Sequence, residues 1–222
     1  MLTPHPPPPL EPPRPALVLA STSRYRHELL TRLRLPFAVM APGVDETALP
    51  GELPAALAQR LALEKARAVA RLRPEAVVIG SDQVADLDGV AIGKPGSHAN
   101  AVAQLRRMSG RRVVFQTAVA VVCLRSAFEA SRLAPVVVTF RRLSDDEIEN
   151  YLRAEAPYDC AGSAKSETLG IALLDSIESD DPTALVGLPL IRTCELLRAA
   201  GIDPLRSNPA SHPPSHPTSN PA

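Results

Sequence analysis

Five short polar segments of this chain carry the residue types that bind phosphate groups and divalent cations. All three lysines, Lys65, Lys94 and Lys165, fall inside these segments, whereas the other 21 of the 24 basic residues are arginines. A compact ammonium binds phosphate as a point charge, and the broad guanidinium fork does not replace it at every site. The alternative is that codon bias alone left three lysines. The segments are residues 21–26, 44–47, 64–66, 80–84 with 93–95, and 160–167.

The first segment, STSRYR at residues 21–26, follows an apolar run and opens a helical pattern. The free backbone N–H groups at the start of a helix attract anions. The hydroxyl of Ser21 and the guanidinium groups of Arg24 and Arg26 would strengthen such a site. An ordinary serine N-cap with solvated arginines is the alternative. The glycine-rich run and the GK[ST] signature of a Walker loop are missing.

The next two segments pair acids with a lysine. Glu46 lies beside Asp45 in a loop, where two acids are either solvated or, near phosphates, able to hold a divalent cation. Lys65 lies on the apolar ridge of a predicted helix, so it needs a partner or a wet cleft. Snorkelling of the ammonium past the edge of the core is the alternative. The ridge consists of Leu57, Leu61, Ala68 and Leu72.

The last two segments place charges near small residues. Asp82 follows a buried strand, so we expect it at the carboxyl edge of a sheet, where open α/β folds bind ligands. The turn signal Asp88-Gly89 predicts a hairpin that returns Lys94 towards Asp82. In CAGSAKSE, residues 160–167, small residues let a backbone approach a ligand closely, and Glu167 follows Lys165 by two residues.

The elements that must position these segments alternate between strands and helices, with two hairpins. We therefore expect an α/β fold with a mixed, twisted sheet and flanking helices, in two lobes around a central cleft. A polar link separates the two long β-rich runs. Strands are predicted at residues 16–20, 37–42, 76–79, 113–124, 136–143 and 170–177, with a hairpin at 83–94. Helices are predicted at residues 24–35, 54–72, 97–108, 144–155 and from 189 to a stop at Gly201.

Composition restricts the class of protein. The net charge is zero and aromatics are 3% of residues, which argues against nucleic-acid binding and a polybasic membrane contact. We expect a cytoplasmic protein, because three scattered cysteines suit a reducing compartment and neither a signal peptide nor a membrane span is recognisable. Residues 1–15 and 206–222 are rich in proline or serine, so we expect disordered tails around one domain at 16–205. We do not expect His212 and His216 to bind a metal, because a proline-rich tail does not fix the geometry of the ligands.

Taken in order, seven pieces of the sequence resemble the Maf family of nucleoside triphosphate pyrophosphatases. The match runs from about residue 16 to residue 205 and leaves out only the tails. Several blocks in a fixed order are far more specific than any one of them. The pieces are LASTSRYR, VDET, LALEKA, IGSDQV, GKP, AGSAKSE and VGLPL.

The resemblance implies hydrolysis between the α- and β-phosphates, giving a nucleoside monophosphate and pyrophosphate, with Mg²⁺ or Mn²⁺, and Co²⁺ as a further candidate. It implies a fold like that of inosine triphosphatase, and family members are often homodimers. Asp82 matches the proton acceptor and, with Glu46, the metal site. The positions that match the triphosphate-binding residues are Ser21, Arg26, Lys65 and Lys94.

Three positions match the family's specificity residues: Tyr25, Gln83 and Glu167. GSDQV and CAGSAKSE resemble the branch that acts on 7-methyl-GTP. The branch that takes dTTP and UTP typically has Thr, Gln and Arg where Gln83, Glu167 and Tyr25 stand here. In the 7-methyl-GTP branch an aromatic residue, usually Trp, precedes two arginines, whereas this chain has Tyr25 and places His27 at the second arginine.

These residues suggest how a methylated base could be held. A 7-methylguanine ring is cationic, so the face of Tyr25 attracts it through cation–π contact, worth roughly 0.5–2 kcal/mol. Glu167 can accept hydrogen bonds from the guanine edge. Two alternatives stay open: a dTTP/UTP pyrophosphatase of the same family, and a nucleotide-binding regulator of cell division or septation with little turnover.

Overall fold

The computed structural model describes residues 15–206, and within that range seven strands form one mixed sheet. The order is β2-β1-β3-β5-β6-β7, with β4 paired to β3 outside this path. The strands are β1 (Leu17–Leu19), β2 (Ala38–Val39), β3 (Val77–Leu87), β4 (Val90–Ile92), β5 (Arg112–Cys123), β6 (Phe128–Phe140) and β7 (Leu174–Glu178). The helices are α1 (Arg24–Thr31), α2 (Pro54–Leu72), α3 (His98–Met108), α4 (Asp145–Glu155) and α5 (Leu190–Ala199).

The sheet is mixed because β1 pairs in parallel with β2 and β3, whereas the other pairs are antiparallel. This confirms the predicted α/β class and both hairpins. Three helix starts are also confirmed by their chemistry. Pro54 occupies the first turn of α2, Ser97 caps α3, and Ser144 and Glu147 form a capping box at α4.

Three strand predictions are wrong at their limits. The supposed polar link is the first half of β6, where exposed Glu129 and Arg132 lie on opposite faces of the strand. Glu129 pairs with Arg67 of α2, and Arg132 pairs with Glu195 of α5. The predicted strand at 170–177 begins as a 3₁₀ turn, Leu169–Leu173, and becomes strand only at Leu174. The second predicted strand, residues 37–42, shrinks to Ala38–Val39.

Strand β3 differs most from its prediction, because it does not stop at Ile79. It continues through Asp82, which pairs with Ala118 in the middle of β5. Its parallel neighbour β1, however, ends with the pairing of Leu19 and Ile79. Asp82 therefore lies within β3 but beyond the carboxyl end of the parallel neighbour β1. No residue of β1 pairs beside Asp82, so the sheet leaves room for a ligand on that side.

Three apolar clusters make two lobes. One cluster packs α2 against one face of the sheet, with Leu57 and Leu61 buried, and a second packs α1 and α5 on the other face around Leu29 and Leu197. These two clusters surround β1 and the first part of β3. The third lies at the far end, where α3 and α4 cover β4 and the ends of β5 and β6. The predicted cleft lies between the lobes.

The predictions that the chain has no membrane span and that its two tails are disordered can be compared with the structure only over the described residues. Among residues 15–206, no helix is both long and apolar enough to cross a membrane. The predicted disordered tails, with His212 and His216, lie outside the described residues except for residues 15 and 206.

Candidate active site

One cavity of about 750 Å³ collects all nine candidate site residues in the cleft. They come from six separate parts of the chain, so the fold itself brings them together. Lys165 alone among the three lysines does not line this cavity; it lines a smaller neighbouring one of about 270 Å³. The nine residues are Ser21, Tyr25, Arg26, Glu46, Lys65, Asp82, Gln83, Lys94 and Glu167.

At one end of the cavity, the ammonium of Lys65 lies between two carboxylates. Its Nζ is 2.6 Å from Asp82 Oδ1 and 2.6 Å from Glu46 Oε1. The side chains of Lys65 and Asp82 are 5% and 9% exposed, whereas that of Glu46 is 53% exposed. Lys65 therefore has one buried partner, Asp82, and one exposed partner, Glu46, through which the trio is open to the cavity. Its buried ammonium does not snorkel to the surface.

The close approach of α2 to β3 brings Lys65 to Asp82. A Cβ added at Gly80 would lie 2.2 Å from the carbonyl oxygen of Ala62 and 2.6 Å from the amide nitrogen of Ala66. Glycine is therefore the residue that permits this packing. The ridge differs from the prediction at its end, because Leu72 is 68% exposed and Val69 is buried instead.

The hairpin returns Lys94 to the cavity that Asp82 lines, as predicted, but the direct partner of the Asp82 carboxylate is Lys65 and not Lys94. Strand β4 ends at Ile92, so Lys94 lies beyond the hairpin ladder and is exposed, while Lys65 takes the carboxylate. Lys94 still lines the cavity and lowers the pKa of Glu46 through its charge.

Neighbouring charges shift the pKa values of Glu46 and Arg26 in this part of the cavity. Burial raises the pKa of the Glu46 carboxyl, but the hydrogen bond and charge of Lys65, together with the charges of Lys94 and Arg26, outweigh it, and the pKa falls below its usual value of 4.5. Glu46 is therefore an anion at neutral pH. Burial lowers the pKa of Arg26, and the charges of Asp82 and Glu46 oppose that fall.

The segment at residues 21–26 is fixed by polar contacts to a distant loop. Ser23 caps α1 by accepting a hydrogen bond from the Arg26 N–H, and Ser21 Oγ accepts one from Arg26 Nη1 at 3.4 Å. Arg26 Nε also donates to the carbonyl of Gly187 at 2.9 Å, and Ser81 Oγ donates to the same carbonyl at 3.0 Å. Ser23 is thus a real N-cap, and the guanidinium of Arg26 is held at the cavity beside it.

Gln83 is anchored to that loop as well. Its Nε2 lies 2.9 Å from Leu185 O, 3.0 Å from Ala184 O and 2.9 Å from Thr117 Oγ1. The amide nitrogen is therefore fully engaged. No bond to Gln83 Oε1 occurs among residues 15–206, so the carbonyl oxygen is the free part of this amide.

Residues that the sequence did not single out hold the 184–190 loop. Asp181 is fully buried and accepts from the backbone N–H groups of Ile191 and Arg192, which caps α5. Thr183 Oγ1 donates to Leu188 O and accepts from Leu190 N. The sequence did contain an indication of this anchor. Residues 180–183, DDPT, precede VGLPL at 186–190, and Asp and Thr side chains favour local hydrogen bonds to the backbone.

Tyr25 lines the cavity beside Asp159 and Cys160, a group that we call the Tyr25 end of the cavity, and it has a cation over its ring. Arg24 Cζ lies 4.7 Å from the ring centroid, and Arg24 Nη2 donates to Tyr25 Oη at 2.8 Å. The hydroxyl in turn donates to Asp159 Oδ2 at 3.4 Å. Burial raises the pKa of Tyr25 to about 12, so the phenol is neutral. The sequence predicted that a face of the Tyr25 ring would contact the methylated base. In the structure the guanidinium of Arg24 covers one face of that ring.

The segment at residues 160–167 contributes two different residues. Glu167 is exposed, lines both cavities and has no hydrogen-bond partner within residues 15–206. Lys165 is 7% exposed, and its Nζ donates to the carbonyl of Glu155 at 3.1 Å. The opposite charges of Lys165 and Glu167 therefore do not pair with each other.

The cavity has a donor set that suits a hard divalent cation. No group of three or more His, Cys, Asp or Glu that could hold a metal occurs in the described range. Mg²⁺, however, needs only one or two carboxylates when waters and substrate phosphates complete its shell. Glu46 and Asp82 supply carboxylate oxygens that already converge on one cationic atom, Lys65 Nζ, so they fit such an ion.

The sequence matches a known family over most of its length. Residues 16–200 match the model of the Maf-like protein family. A curated protein named 7-methyl-GTP pyrophosphatase from Polaromonas sp. (strain JS666) is 74% identical over 186 residues, which cover 84% of this chain and 85% of the relative.

Other relatives carry the same name. The one from Albidiferax ferrireducens is 68% identical over 86% of this chain and 96% of its own. The one from Burkholderia pseudomallei (strain 1710b) is 60% identical over 88% of this chain and 92% of its own. The family match, residues 16–200, lies within the described residues 15–206.

Proposed function

Since the chain belongs to the Maf-like protein family, we propose that it hydrolyses 7-methyl-GTP between the α- and β-phosphates, releasing 7-methyl-GMP and pyrophosphate. Residues 16–205 form the catalytic domain in this proposal. The observation that carries it is the buried Lys65 between Glu46 and Asp82 at the base of a cavity large enough for a nucleotide. The names of relatives at 60–74% identity support the substrate.

The charge balance of the cavity supports a divalent cofactor. Its lining contains four cationic and four anionic side chains, so it offers no surplus positive charge to a triphosphate that carries about four negative charges. A cation such as Mg²⁺, Mn²⁺ or Co²⁺ at Glu46 and Asp82 would neutralise developing phosphate charge. The eight charged residues are Arg24, Arg26, Lys65, Lys94, Glu46, Asp82, Asp159 and Glu167.

The residues around Asp82 have separate tasks in this proposal. Asp82 accepts the proton of the attacking water, and Lys65 fixes the orientation of that carboxylate through the 2.6 Å contact. Arg26 and Lys94 bind the phosphate oxygens, and Ser21 holds the Arg26 guanidinium through the 3.4 Å contact. Positioning and charge neutralisation then supply most of the rate enhancement, as in other phosphoryl transfers.

The residues at the opposite end bind the base. Glu167 is an unpaired carboxylate at the cavity, where it can accept from the N–H groups of the guanine edge. Gln83 offers its free carbonyl oxygen, and Tyr25 offers its ring. A reaction on cellular nucleotides also implies a cytoplasmic location, and a homodimer is the oligomeric state that we expect.

The test is pyrophosphate release from a panel of 7-methyl-GTP, GTP, dTTP and UTP with Mg²⁺, Mn²⁺ or Co²⁺. We expect 7-methyl-GTP to have the highest kcat/KM, and Asp82→Asn to lower kcat by about 10²–10⁴-fold. Highest activity on dTTP or UTP would assign the chain to the other branch. Tight nucleotide binding without product from any triphosphate would indicate the regulator.

A further inference from the structure

The environment of Arg24 is unusual for a surface arginine. Its guanidinium lies over the Tyr25 ring and donates to the Tyr25 hydroxyl, yet within residues 15–206 it forms no close ion pair. Two acids, Asp159 and Glu28, act on it only through longer-range charge. Arg24 is exposed, so only the ring and one hydrogen bond hold this cation in the cavity.

The surroundings of the ring favour a cation of this shape. The Asp159 carboxylate accepts from the Tyr25 hydroxyl through Oδ2 and from the Cys160 thiol through Oδ1 at 3.4 Å, so its position is defined from two sides. Glu167 adds a second carboxylate to the same end of the cavity. A ring face with nearby anions attracts planar, delocalised cations.

We propose that the Tyr25 ring and the Asp159 carboxylate form a subsite for a planar organic cation, which Arg24 occupies until the 7-methylguanine base of the substrate replaces it. Asp159 is then a residue that distinguishes the cationic base from neutral guanine. The proposal rests on the proposed function, because it names the charge by which that substrate is recognised.

The chemistry of the two occupants is alike. A guanidinium is a carbon bonded to three nitrogens with a shared positive charge, and the N1, C2, N2 and N3 atoms of guanine form the same unit. Methylation at N7 adds the positive charge that ordinary guanine lacks. The N–H donors of the guanine edge are the same in 7-methyl-GTP and GTP and therefore do not separate them, whereas a carboxylate beside the ring responds to the added charge.

Asp159→Asn tests the carboxylate with little change of shape. The asparagine oxygen can still accept from Tyr25, so only the charge is lost. We expect the ratio of kcat/KM for 7-methyl-GTP to that for GTP to fall about fivefold, because the attraction between an exposed carboxylate and a cation is worth up to about a factor of five. Asp175→Asn, an exposed aspartate on β7 outside the cavity, is the control and should keep the ratio.

Tyr25→Phe separates a direct role of Asp159 from a positioning role. It keeps the ring and removes the hydroxyl that contacts both Arg24 and Asp159. We expect the ratio to fall less than in Asp159→Asn. An equal fall in the two variants would mean that Asp159 only orients the tyrosine, and no fall in Asp159→Asn would overturn the subsite.

Arg24→Ala tests whether the guanidinium of Arg24 occupies the subsite when no nucleotide is bound. Removing the competing cation should lower KM for 7-methyl-GTP severalfold and change KM for GTP less. Arg107→Ala, an exposed arginine on α3 that does not line the cavity, is the control. If Arg24→Ala raises KM for both nucleotides equally, Arg24 is a phosphate ligand and the proposal is wrong.

Binding of the monophosphates keeps this test independent of turnover. Titration calorimetry with 7-methyl-GMP and GMP, without metal, measures recognition of the base alone. We expect the wild type to prefer 7-methyl-GMP and Asp159→Asn to lose most of that preference. If no triphosphate is hydrolysed but this preference holds, the proposed function fails and the subsite stands. Equal affinities in the wild type would overturn the subsite, whatever the enzyme hydrolyses.

Discussion

The two ends of the cavity are built from different kinds of structure. The end at Lys65 takes the buried pair Lys65 and Asp82 from the middle of α2 and the middle of β3, where regular hydrogen bonding fixes the backbone, and Glu46 from the loop between β2 and α2. The end at Tyr25 takes its groups from the first turn of α1 and from the irregular segment between α4 and β7. The buried charges that must not move lie on regular elements, and groups that must adapt to a ligand lie at the margins of such elements or in loops.

The largest expected effect contrasts two lysines of the cavity. Lys65→Arg places a larger, planar cation between carboxylates that are each 2.6 Å from the present ammonium. We expect kcat/KM to fall about 100-fold or more, since a misplacement of about 1 Å at a reaction centre costs that much. Lys94→Arg, at an exposed position, should lower kcat/KM by a smaller factor.

Steady-state kinetics on both variants, with melting temperatures to check folding, decides this prediction. Equal, wild-type rates in the two variants would mean that arginine serves as well as lysine here, and the lysines would be a product of codon bias. A larger loss in Lys94→Arg than in Lys65→Arg would reverse the assignment of the two groups.

The packing that supports the Lys65 end can be broken without touching a charge. Gly80→Ala would force a Cβ to within 2.2 Å of Ala62 O, so α2 must move away from β3. We expect a loss of about 1–3 kcal/mol in the free energy of unfolding, as is typical of overpacking. Gly93→Ala has no atom within 4 Å of its added Cβ and serves as the control.

Urea unfolding of the two glycine variants measures this loss. A wild-type midpoint in Gly80→Ala would show that the close approach of α2 to β3 is not needed. In Gly80→Ala the displaced helix should also lower kcat, whereas affinity for 7-methyl-GMP should change less, because the Tyr25 end does not depend on this contact.

The Tyr25 end should respond in specificity and not in rate. Glu167→Gln replaces a charged acceptor by a neutral one at the exposed mouth of the cavity. We expect the preference for 7-methyl-GTP over dTTP to fall about fivefold, the difference of about 1 kcal/mol between a charged and a neutral hydrogen bond. A preference that stays at its wild-type value would remove Glu167 from base recognition.

The smallest effect is a chemical one at Cys160. Burial raises the pKa of its thiol to about 11, and the hydrogen bond with Tyr25 only partly opposes that rise. Because the thiolate is the reactive form, alkylation by iodoacetamide should be slow at pH 8 and accelerate as the pH approaches 11. Mass spectrometry of the modified peptide measures the rate, and rapid reaction at pH 8 would contradict the buried environment.

The sequence predicted the regular half of the site better than the irregular half. The limits of α2 followed from Pro54 and the spacing of apolar residues, and Lys65 was expected to need a partner because it lies on the apolar face. The sequence did not identify that partner, however. Which carboxylate Lys65 reaches depends on how closely α2 approaches β3 at Gly80, and that distance is a tertiary property.

At the other end, the residues were found but their contacts were not. Tyr25 was expected to offer a free face, and the contact with Arg24 depends on side-chain rotamers that a sequence pattern does not encode. Asp159 and Thr183 were missed because a single acid or hydroxyl in a loop is usually solvated. The first half of β6 was missed because its polar residues, Glu129, Ser131 and Arg132, do not alternate with apolar ones and so resemble a link when the partner strand is unknown.

The measurement that tests the division of the cavity most directly is the affinity of Asp82→Asn for 7-methyl-GMP and for GMP. This variant alters the Lys65 end only, where Asp82 Oδ1 contacts the ammonium. We expect its turnover of 7-methyl-GTP to be lost while it retains the wild-type preference for 7-methyl-GMP. If the preference disappears together with turnover, the two ends do not act separately and the account of the cavity is wrong.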